Sequence, residues 1–559
     1  MYDLLFKNAI VIDGTNQPAF AADVAIESGL IQVVDRSCSL QPDHAHQVVD
    51  AQDRLLTPGF VDIHTHYDGQ VCWDKQVTPS AWHGVTTVIM GNCGVGFAPV
   101  RPGTEGDLVA LMESVEDIPG TALHDGISWD WESFSEYLDV IDTPYTIDIG
   151  TQVPHVAVRH YVMGDRSYHK ASIQDIEQMQ TITRQALEDG ALGFSTSRFY
   201  GHVDKSGKLI PGTNASAQEM CAIGEAFKGL DHGTIEIISD HLNSQEELDW
   251  IEHIIRTTGR PVTALATSGE GILWSLAAQL AADGFALRPQ VGARPASILM
   301  TLEGTINPMR QHMAYREIQH LPVVERQRAL LNPTFRHRVL TEAPILPRNK
   351  DAVRFMNDFE HIYVLDDQLS YEPTTADSIA AIADSQSQTP LEVIMDSLAA
   401  GKVLLVFFRG YNHDLEPQRK TIEDPLSVFG LSDGGAHCGV LVDASVPTYM
   451  LSYFARDRQR GPHISLPLVI HKMTQDTAQM YGLSDRGVIS PGFKADLNLI
   501  DYADLKLLPP EMVYDLPAGG KRLIQKAQGY LMTVCAGEIT YRDGEHTGAM
   551  PGRLIRGGR

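Results

Sequence analysis

The sequence predicts an α/β protein: a TIM-like (β/α)8 barrel flanked by a small β-sandwich that is built from both chain ends. Between Pro58 and Gly482, short apolar runs of strand character alternate with helical patterns, which is typical of a parallel sheet covered by helices. At both ends, strand-like runs follow one another with only turns between them. We therefore expect a sandwich domain at 1–57 and 483–559 and a barrel domain at 58–482.

The two β-rich ends share one local pattern. The first reads LLFKNAIVIDG, then ADVAIESGLIQVVD with Gly29 at the bend, then HQVVDAQDRLLTPG. The second contains KADLNLID and GYLMTVCAGEITYRDGEHTG, in which Gly537 and Gly544 indicate tight turns. Two such ends can pair into one sandwich.

The central region repeats strand, helix and strand. Its strand-like runs include VTTVIMG, ALGFST, TIEIISD and RPVTALAT, and its helical patterns include SIQDIEQMQTITRQALEDG and EELDWIEHIIRTTG. Two stretches, near 95–143 and 294–376, are longer than ordinary loops. Long insertions on a barrel are usually lids or binding loops, so we expect that role here.

The charge of the chain excludes some partners. The 559 residues include 44 Lys and Arg against 71 Asp and Glu, a formal net charge of −27. Such a surface repels phosphate backbones and anionic membranes within a Debye length. We expect neither nucleic acid nor a membrane as a partner. The acids are typical of a soluble surface and say little about a substrate.

The cysteines and the N-terminus indicate a reducing compartment. The six cysteines are far apart and form no Cys-x-x-Cys pair; they are Cys38, Cys72, Cys93, Cys221, Cys438 and Cys535. The opening MYDLLFKNAIVIDG has no signal-peptide pattern, and no uncharged apolar run reaches membrane-spanning length. We predict a cytoplasmic protein.

A pair of histidines ends the first barrel strand. After the apolar run from Gly59, His64 and His66 stand at positions i and i+2, which places both imidazoles on one face of a strand, as a shared metal requires. With 22 histidines in the chain, about one such pair is expected by chance. A second pair, His44 and His46, lies in the polar stretch QPDHAHQ, which we expect to be a solvated loop.

Cys93 follows the next strand. The run VTTVIM leads into Gly91-Asn92-Cys93-Gly94, so a thiol stands in a glycine-rich turn at a strand end. A thiolate there is a good zinc ligand, because zinc readily takes sulfur and nitrogen. The alternative, a buried and inert thiol, is about equally supported, although the glycines allow close approach of backbone to a ligand.

Asp433 follows the strand predicted to close the barrel. It stands in Ser432-Asp433-Gly434, after an apolar run that begins at Val428. An aspartate beside a metal at a barrel mouth can hold the attacking water and carry its proton to the leaving nitrogen. Alone, an aspartate among glycines is more often a turn former. Here, however, the pattern of an apolar strand that ends in a polar side chain recurs on the strand expected next to that of His64 and His66. This position favours the catalytic role.

Taken together, these motifs resemble the amidohydrolase superfamily, and within it the D-aminoacylase branch of N-acyl-D-amino-acid deacylases. The resemblance runs over nearly the whole chain and rests on the following segments: His64 with His66, Asn92-Cys93-Gly94, Gly193-Phe194-Ser195-Thr196-Ser197, Ser432-Asp433-Gly434, the helix from Thr474 to Ala478, and the stretch from Arg486 to Asp496.

The resemblance implies a function and a site. Family members carry zinc at the carboxyl ends of the barrel strands, use a cysteine like Cys93 as a metal ligand and use an aspartate like Asp433 as the proton carrier. The implied reaction hydrolyses an N-acyl amino acid to a carboxylate and a free amino acid, and the branch favours the D form. The implied partner is a small N-acyl amino acid.

The chain departs from this branch on two strands. D-aminoacylases supply two further zinc histidines from the fifth and sixth strands, and the corresponding segments here are 234–241 and 261–267. The sixth segment contains no histidine, and on the fifth Asp240 or His241 is a possible substitute. We therefore expect one catalytic zinc.

The expected ligands of that zinc are His64, His66, Cys93 and Asp433. For substrate contacts we expect Arg198 and Tyr200, just after GFSTS, and Arg294 in QVGARP. An arginine at a strand end can bind the substrate carboxylate through two hydrogen bonds.

Some of these residues have an alternative role. Pairing of an arginine with a neighbouring acid is about as well supported as a substrate contact. For His155 and His437 the same two roles are about equally supported: a contact in the site, or an ordinary histidine of the core or rim.

Two other functions remain as alternatives. A cyclic-amide hydrolase of the hydantoinase or dihydroorotase kind shares the fold and the strand with two histidines. Its sites usually bridge two metals with a modified lysine, and none of the predicted strands before Asp433 ends in a suitable lysine. An inactive relative that only binds its ligand is favoured by the missing histidines and opposed by His64, His66, Cys93 and Asp433.

Overall fold

The computed structural model describes residues 1–266, 269–346, 350–366, 368–408, 410–430 and 432–558. Thr267, the last residue of the predicted sixth-strand segment, lies outside these ranges.

The strands are numbered in chain order. The first are β1 (Tyr2–Val11), β2 (Phe20–Glu27), β3 (Leu30–Asp35), β4 (Ala45–Asp50), β5 (Leu55–Pro58), β6 (Phe60–Asp62) and β7 (Val85–Met90). The next are β8 (Asp148–Thr151), β9 (Val153–Pro154), β10 (Gly193–Arg198), β11 (Thr234–Ser239), β12 (Val262–Leu265) and β13 (Leu287–Val291). Then come β14 (Ser297–Met300), β15 (Ile362–Val364), β16 (Leu404–Phe407) and β17 (Val428–Phe429). The last are β18 (Leu497–Ile500), β19 (Lys506–Leu507), β20 (Glu511–Leu516), β21 (Gly520–Ile524), β22 (Ala527–Gln528), β23 (Tyr530–Cys535), β24 (Glu538–Arg542) and β25 (Glu545–His546).

The helices are numbered in the same way. The first are α1 (Glu105–Val115), α2 (Gly120–Gly126), α3 (Phe134–Ile141), α4 (His155–Met163), α5 (Ile173–Asp189), α6 (Ala217–Glu225), α7 (Gln245–Thr258) and α8 (Ile272–Ala282). Then come α9 (Met313–Ile318), α10 (Val323–Leu331), α11 (Pro333–Thr341), α12 (Lys350–Asn357), α13 (Ile379–Gln386) and α14 (Pro390–Ala399). The last are α15 (Glu416–Glu423), α16 (Val446–Tyr449), α17 (Leu466–Met473) and α18 (Gln475–Met480).

Parallel strands form a ring in the middle of the chain. β6, β7 and β8 pair in parallel, and β9, β10, β11, β12, β13 and β17 form a second parallel run. Only Gln152 separates β8 from β9, and a parallel bridge between Thr65 and Gly434 joins the ends of β6 and β17. If β8 and β9 count as one interrupted strand, the described residues supply eight parallel strands in closed order. This is the order of a (β/α)8 barrel.

Helices cover the outside of this ring for reasons visible in the sequence. α7 begins after Ser244, whose side chain accepts the backbone N–H of Glu247, and it ends at Gly259 in the left-handed conformation. Its buried side chains, which include Ile251, recur at the i, i+3, i+4 spacing of an amphipathic helix and share an apolar core with Ile235 of β11. Because side chains alternate along a strand, the residues between the outward isoleucines of β11 point into the barrel.

Both chain ends contribute to one β-rich unit. The strands of a nine-stranded sheet run in the order β25, β24, β23, β18, β5, β1, β2, β3, and β4 also pairs with β1. Its apolar core contains Phe6 and Val24 from the first end together with Leu497 and Val534 from the second. The prediction that the two ends build one β-rich unit beside the barrel is confirmed.

Two long segments interrupt the barrel. The first, between β7 and β8, carries α1, α2 and α3 and contains the predicted insertion at 95–143. The second, between β13 and β17, contains the predicted insertion at 294–376 and continues beyond it. It holds an antiparallel sheet in the order β14, β16, β15 and an apolar core of its own, with Ile298 and Val406 among its members.

All six cysteines lie in the described part of the chain and are free thiols. Of the helices that the structure describes, none is both long enough and apolar enough to cross a lipid bilayer.

A buried ion cluster ties the barrel to the second chain end. Asp148 of β8 accepts hydrogen bonds from the side chains of Arg486 and Lys494 and from the backbone N–H of Arg553. The side chains of Asp148, Arg486 and Lys494 are 5%, 6% and 14% exposed. Two cations are therefore held away from water around one carboxylate.

We predict that Asp148→Ala lowers the free energy of unfolding by about 1.5–3 kcal/mol, the contribution of a hydrogen bond to a charged group, because it removes the buried carboxylate that Arg486 and Lys494 share. Each cation keeps one other acid, Asp485 or Asp496. Urea denaturation followed by circular dichroism measures this change. Asp139→Ala is the control, because Asp139 is 71% exposed and pairs with Arg556 on the surface, where a pair contributes about 1 kcal/mol or less. Equal losses in the two variants would contradict the prediction.

Candidate metal centre and active-site cavity

Four of the predicted site residues meet at the carboxyl ends of neighbouring strands. The donor atoms of His64, His66 and Cys93 lie within 4.8 Å of one another, and His64 Nε2 is 3.3 Å from Cys93 Sγ. Asp433 Oδ1 lies 3.5 Å from Nε2 of each histidine. The histidines follow β6, the cysteine follows β7 and the aspartate follows β17, so the closed strand order brings distant parts of the chain together.

The turns that present Cys93 and Asp433 need unusual backbone. Both residues have left-handed φ angles, of 53° and 51°. Gly94, directly after Cys93, and Gly435, two residues after Asp433, make room for backbone that approaches closely. A Cβ on Gly94 would lie 2.9 Å from the backbone of Thr196, and one on Gly435 would lie 2.8 Å from the carbonyl oxygen of His66.

Neighbouring polar groups hold the first histidine in place. His64 Nδ1 lies 2.7 Å from Gln290 Oε1, which leaves its Nε2 facing Cys93 and Asp433. The backbone N–H of His64 donates to Asp62, which also accepts a hydrogen bond from the hydroxyl of Ser432. Partners of this kind fix the orientation of a metal-binding imidazole.

We call His64, His66, Cys93 and Asp433 the donor set, and their chemistry fits a zinc ion. His66 is 1% exposed, and neither of its ring nitrogens has a hydrogen-bond partner. Such a buried polar group is costly unless something binds it. For a tetrahedral zinc with bonds of about 2.0–2.3 Å, neighbouring donors lie about 3.3–3.8 Å apart. The distance of 3.3 Å between His64 and Cys93 and the two of 3.5 Å from Asp433 to the histidines have this length. Imidazole, thiolate and carboxylate are ligands that zinc takes.

Two further carboxylates at this site are not among the predicted residues. Glu236 of β11 accepts the backbone N–H of Cys93 at 2.9 Å, and its other oxygen has no partner. Burial raises the pKa of Glu236 to about 8. Glu116, just after α1, lies 3.7 Å from His66 Nε2 and 3.4 Å from His437 Nε2. The lone glutamate among isoleucines in TIEIIS is a sequence signal for Glu236, but Glu116 lies in an insertion that gives no such signal.

On the fifth strand, Glu236 is the carboxylate that contacts the donor set. Asp240 accepts the backbone N–H of Tyr200 at 2.8 Å, and the His241 ring lies 5.1 Å from the Tyr200 ring. On the sixth strand, Thr263 lies 3.5 Å from Gln290, the residue that positions His64. The side chains of Asp240 and His241 are thus placed beside Tyr200.

The three predicted substrate contacts have different surroundings. The guanidinium of Arg198 is paired with Glu247 at 2.8 Å, which is the alternative role considered for it. Tyr200 is 48% exposed, next to the cavity residues Phe199 and Gly201. Arg294 lines the cavity and donates to Asp443 at 2.6 Å, and its Nε has no partner.

The two histidines whose role the sequence left undecided lie in different places: His155 is in the core and His437 is at the site. His155 is buried, and its ring nitrogens lie 2.8 Å from the hydroxyl of Thr196 and 3.1 Å from Glu219. His437 lines the cavity beside Glu116.

A cavity of about 870 Å³ opens onto the donor set. His66, Cys93 and Asp433 lie in its wall together with Glu116 and His437. This volume is in the upper part of the range of about 300–1,000 Å³ that is usual for small-molecule sites. A small organic substrate can therefore reach the donors.

Asp433 is ionised in this setting. Burial by itself raises the pKa of a carboxyl group, but the neighbouring His66, His64 and His437 lower it by more, so the pKa of Asp433 lies below its usual range. As an ionised carboxylate within the donor set, Asp433 can both bind a cation and accept a proton.

Comparison with known proteins gives one family and one fold. A family model described as the amidohydrolase family matches residues 47–541. The chain is 24% identical over 566 residues to the N-acyl-D-aspartate deacylase of Alcaligenes xylosoxydans xylosoxydans, covering 100% of this chain and 95% of that protein.

Two solved structures are similar over the whole chain. One is a D-aminoacylase from work on one-metal activation and second-metal attenuation of its binuclear metal center, with a TM-score of 0.63, 21% identity and 100% of both chains covered. The other is the N-acyl-D-glutamate deacylase of Bordetella bronchiseptica with zinc and a phosphonate inhibitor that mimics the tetrahedral intermediate. Its TM-score is 0.63, with 19% identity and 99% of both chains covered. The predicted fold class is confirmed.

We predict that the purified protein binds zinc and that His66→Ala and Cys93→Ser each weaken zinc affinity by at least about tenfold to a hundredfold, since loss of even an outer partner of a ligand has that effect. Zinc titration after chelation measures the affinity. Because zinc binds the folded state, added zinc should also raise the melting temperature of the wild type more than that of either variant.

His46→Ala is the matched control for these variants, because His46 belongs to the second histidine pair and is exposed on β4. Its zinc affinity should equal that of the wild type. Unchanged affinity in His66→Ala would show that the donor set does not hold the ion.

Proposed function

Because the chain belongs to the amidohydrolase family, we propose that it is a zinc-dependent hydrolase that removes the acyl group from an N-acyl-D-amino acid by cutting a linear amide bond. Family membership makes it a metal-dependent amidohydrolase. Zinc as the metal, a single ion for each chain and the D-amino acid as product belong to the proposal.

The observation that carries the proposal is the meeting of His64, His66, Cys93 and Asp433 at the wall of a large cavity, with His66 buried and unpartnered. These residues would hold the ion. When bound there, zinc would supply a Lewis acid that polarises the amide carbonyl and lowers the pKa of a water molecule.

The chain's own residues perform the proton transfers. Asp433, whose pKa lies below its usual range, accepts the proton of the attacking water on its carboxylate. The same carboxyl group then donates that proton to the leaving nitrogen, so that the amine departs in neutral form. Gln290 keeps His64 in one orientation throughout.

Arg294 is the proposed contact for the substrate carboxylate. Among the described residues that line the cavity, it alone is an arginine or a lysine, and its Nε has no partner in the protein. Asp443 and the faces of Tyr371 and Tyr449, whose ring centres lie 4.1 and 5.2 Å away, hold its guanidinium in place. Arg198 and Tyr200 stay as predicted contacts of the cavity rim.

The relatives support an N-acyl amino acid as substrate. The compared proteins are named for D-amino-acid deacylation, and one was solved with zinc and an analogue of a tetrahedral intermediate. The cyclic-amide alternative relies on a lysine, and no lysine occurs among the described cavity-lining residues. The free cysteines accord with the proposed cytoplasmic location.

We predict that Asp433→Ala, assayed with zinc in large excess, lowers kcat by about 10³–10⁴-fold, because the group that moves the proton is lost. Under that excess, zinc content stays close to that of the wild type, because His64, His66 and Cys93 still hold the ion. Steady-state kinetics and metal analysis of the same preparations measure both. Glu113→Gln is the control: Glu113 lines the same cavity but pairs with Lys205 on the surface, so activity should change by less than about threefold. Wild-type activity in Asp433→Ala would refute the assignment.

We also predict that the zinc-loaded enzyme releases free amino acid from N-acyl-D-amino acids at least about a hundredfold faster than from the L forms, since misplacing the amide at the reacting centre has a cost of this size. A panel of matched D and L substrates, assayed by amine release, measures the ratio. Equal rates would remove the stereochemical part of the proposal, and hydrolysis of hydantoins alone would replace it with the cyclic-amide function.

A further inference from the structure

One wall of the cavity is formed by apolar side chains. Its side chains belong to the segment between β13 and β17 and to the loop after Asp433, and we call them the apolar wall: Ile298, Ile306, Phe355, Phe408, Val440 and Leu441. All six belong to the apolar core of that segment or pack directly against it. The rings of Phe355 and Phe408 lie 4.5 Å apart, so the wall includes an aromatic pair.

The charges that line the cavity disfavour a second anionic group on the substrate. The acids among its described lining residues are Glu113, Glu116, Asp117, Asp240, Glu270, Asp433 and Asp443. The one arginine, Arg294, already donates to Asp443. It therefore suits one substrate carboxylate and leaves no described cation for another. An acidic acyl group or an acidic side chain would be repelled.

The cavity is also larger than an acetylated amino acid requires. About 870 Å³ accommodates a drug-sized molecule, whereas an acetyl group adds only two carbons to the amino acid. An apolar wall that faces only water is unfavourable, and contact with an apolar ligand removes that cost.

The acyl half of the substrate is the half that matches this wall. In the amino-acid half, the carboxylate is one carbon away from the amide nitrogen and needs a polar partner such as Arg294. Beyond its carbonyl, an unsubstituted aliphatic acyl chain has no polar atom and can lie against apolar side chains along its whole length. The two halves leave the amide in different directions, so both matches can be made at once.

Building on the proposed function, we propose that the acyl group removed by this enzyme is an uncharged apolar group of roughly six carbons or more, aliphatic or aromatic, that lies against the apolar wall. The substrate class is then N-(medium-chain acyl) or N-aryl-acyl amino acids. Full burial of a methylene is worth about fourfold in affinity. An octanoyl group has six more methylenes than an acetyl group, and their partial burial still raises affinity by at least about thirtyfold.

The test compares acyl groups on one amino acid. Full-length zinc-loaded enzyme is assayed with the N-acetyl, N-butanoyl, N-octanoyl and N-succinyl derivatives of D-leucine, and kcat/KM is measured for each. We expect kcat/KM to rise with chain length, to at least about thirtyfold for octanoyl over acetyl, and to be lowest for the anionic succinyl group. A flat or falling series, or a preference for succinyl, would overturn the inference and leave the proposed function standing. No hydrolysis of any derivative would overturn both.

Substitutions in the apolar wall test whether the preference for a long acyl chain arises there. Phe408→Ala and Phe355→Ala should each lower the octanoyl-to-acetyl ratio by at least about tenfold, because the contact surface for the chain is lost. Phe359→Ala is the matched control: Phe359 packs against the same apolar core but does not line the cavity, so the ratio should stay within about twofold of the wild type. If Phe408→Ala does not fold, Phe408→Leu tests the same contact through a smaller drop. An unchanged ratio in every folded wall variant would refute the assignment of the chain to this wall.

Discussion

The arrangement at the barrel mouth depends on one electrostatic constraint. Asp433, Glu236 and Glu116 are brought together with Cys93 around two buried imidazoles. Arg294, the one arginine or lysine of the described cavity lining, is bonded to Asp443. Acidic groups removed from water repel one another unless a cation joins them. In the proposed function, a cation bound by the histidines would relieve this repulsion, so that ion binding and folding of this region would stabilise each other.

The barrel makes such a concentration of charge possible. Its strands are fixed by backbone pairing and by apolar helices outside, so the ligands are attached to rigid elements and their positions cost little further ordering. The hydrogen bond from His64 Nδ1 to the side-chain oxygen of Gln290 and the one from the backbone N–H of Cys93 to Glu236 extend this rigidity across different strands. The ion cluster around Asp148 fixes the second chain end against the barrel.

In the proposed function, the insertions decide what reaches the ion. The segment that contains α1 places Glu116 beside His66, and the segment between β13 and β17 supplies Arg294 and most of the apolar wall. The proposed function thus separates chemistry from specificity: the strand ends would carry the metal ligands and the proton carrier, and the long loops would select the substrate. This division is usual for barrels, whose loops change without disturbing the strands that they connect.

The sequence by itself determined the barrel, the joining of the two β-rich ends and the strand-end residues His64, His66, Cys93 and Asp433. Those inferences rest on local periodicity and on motifs a few residues long, which a sequence displays directly. Tertiary structure alone decided the rest. Glu116 reaches His66 only through the fold of an insertion, Arg198 is paired with Glu247, and the apolar wall combines residues more than 140 positions apart. No local pattern records such contacts, because they depend on how distant segments pack.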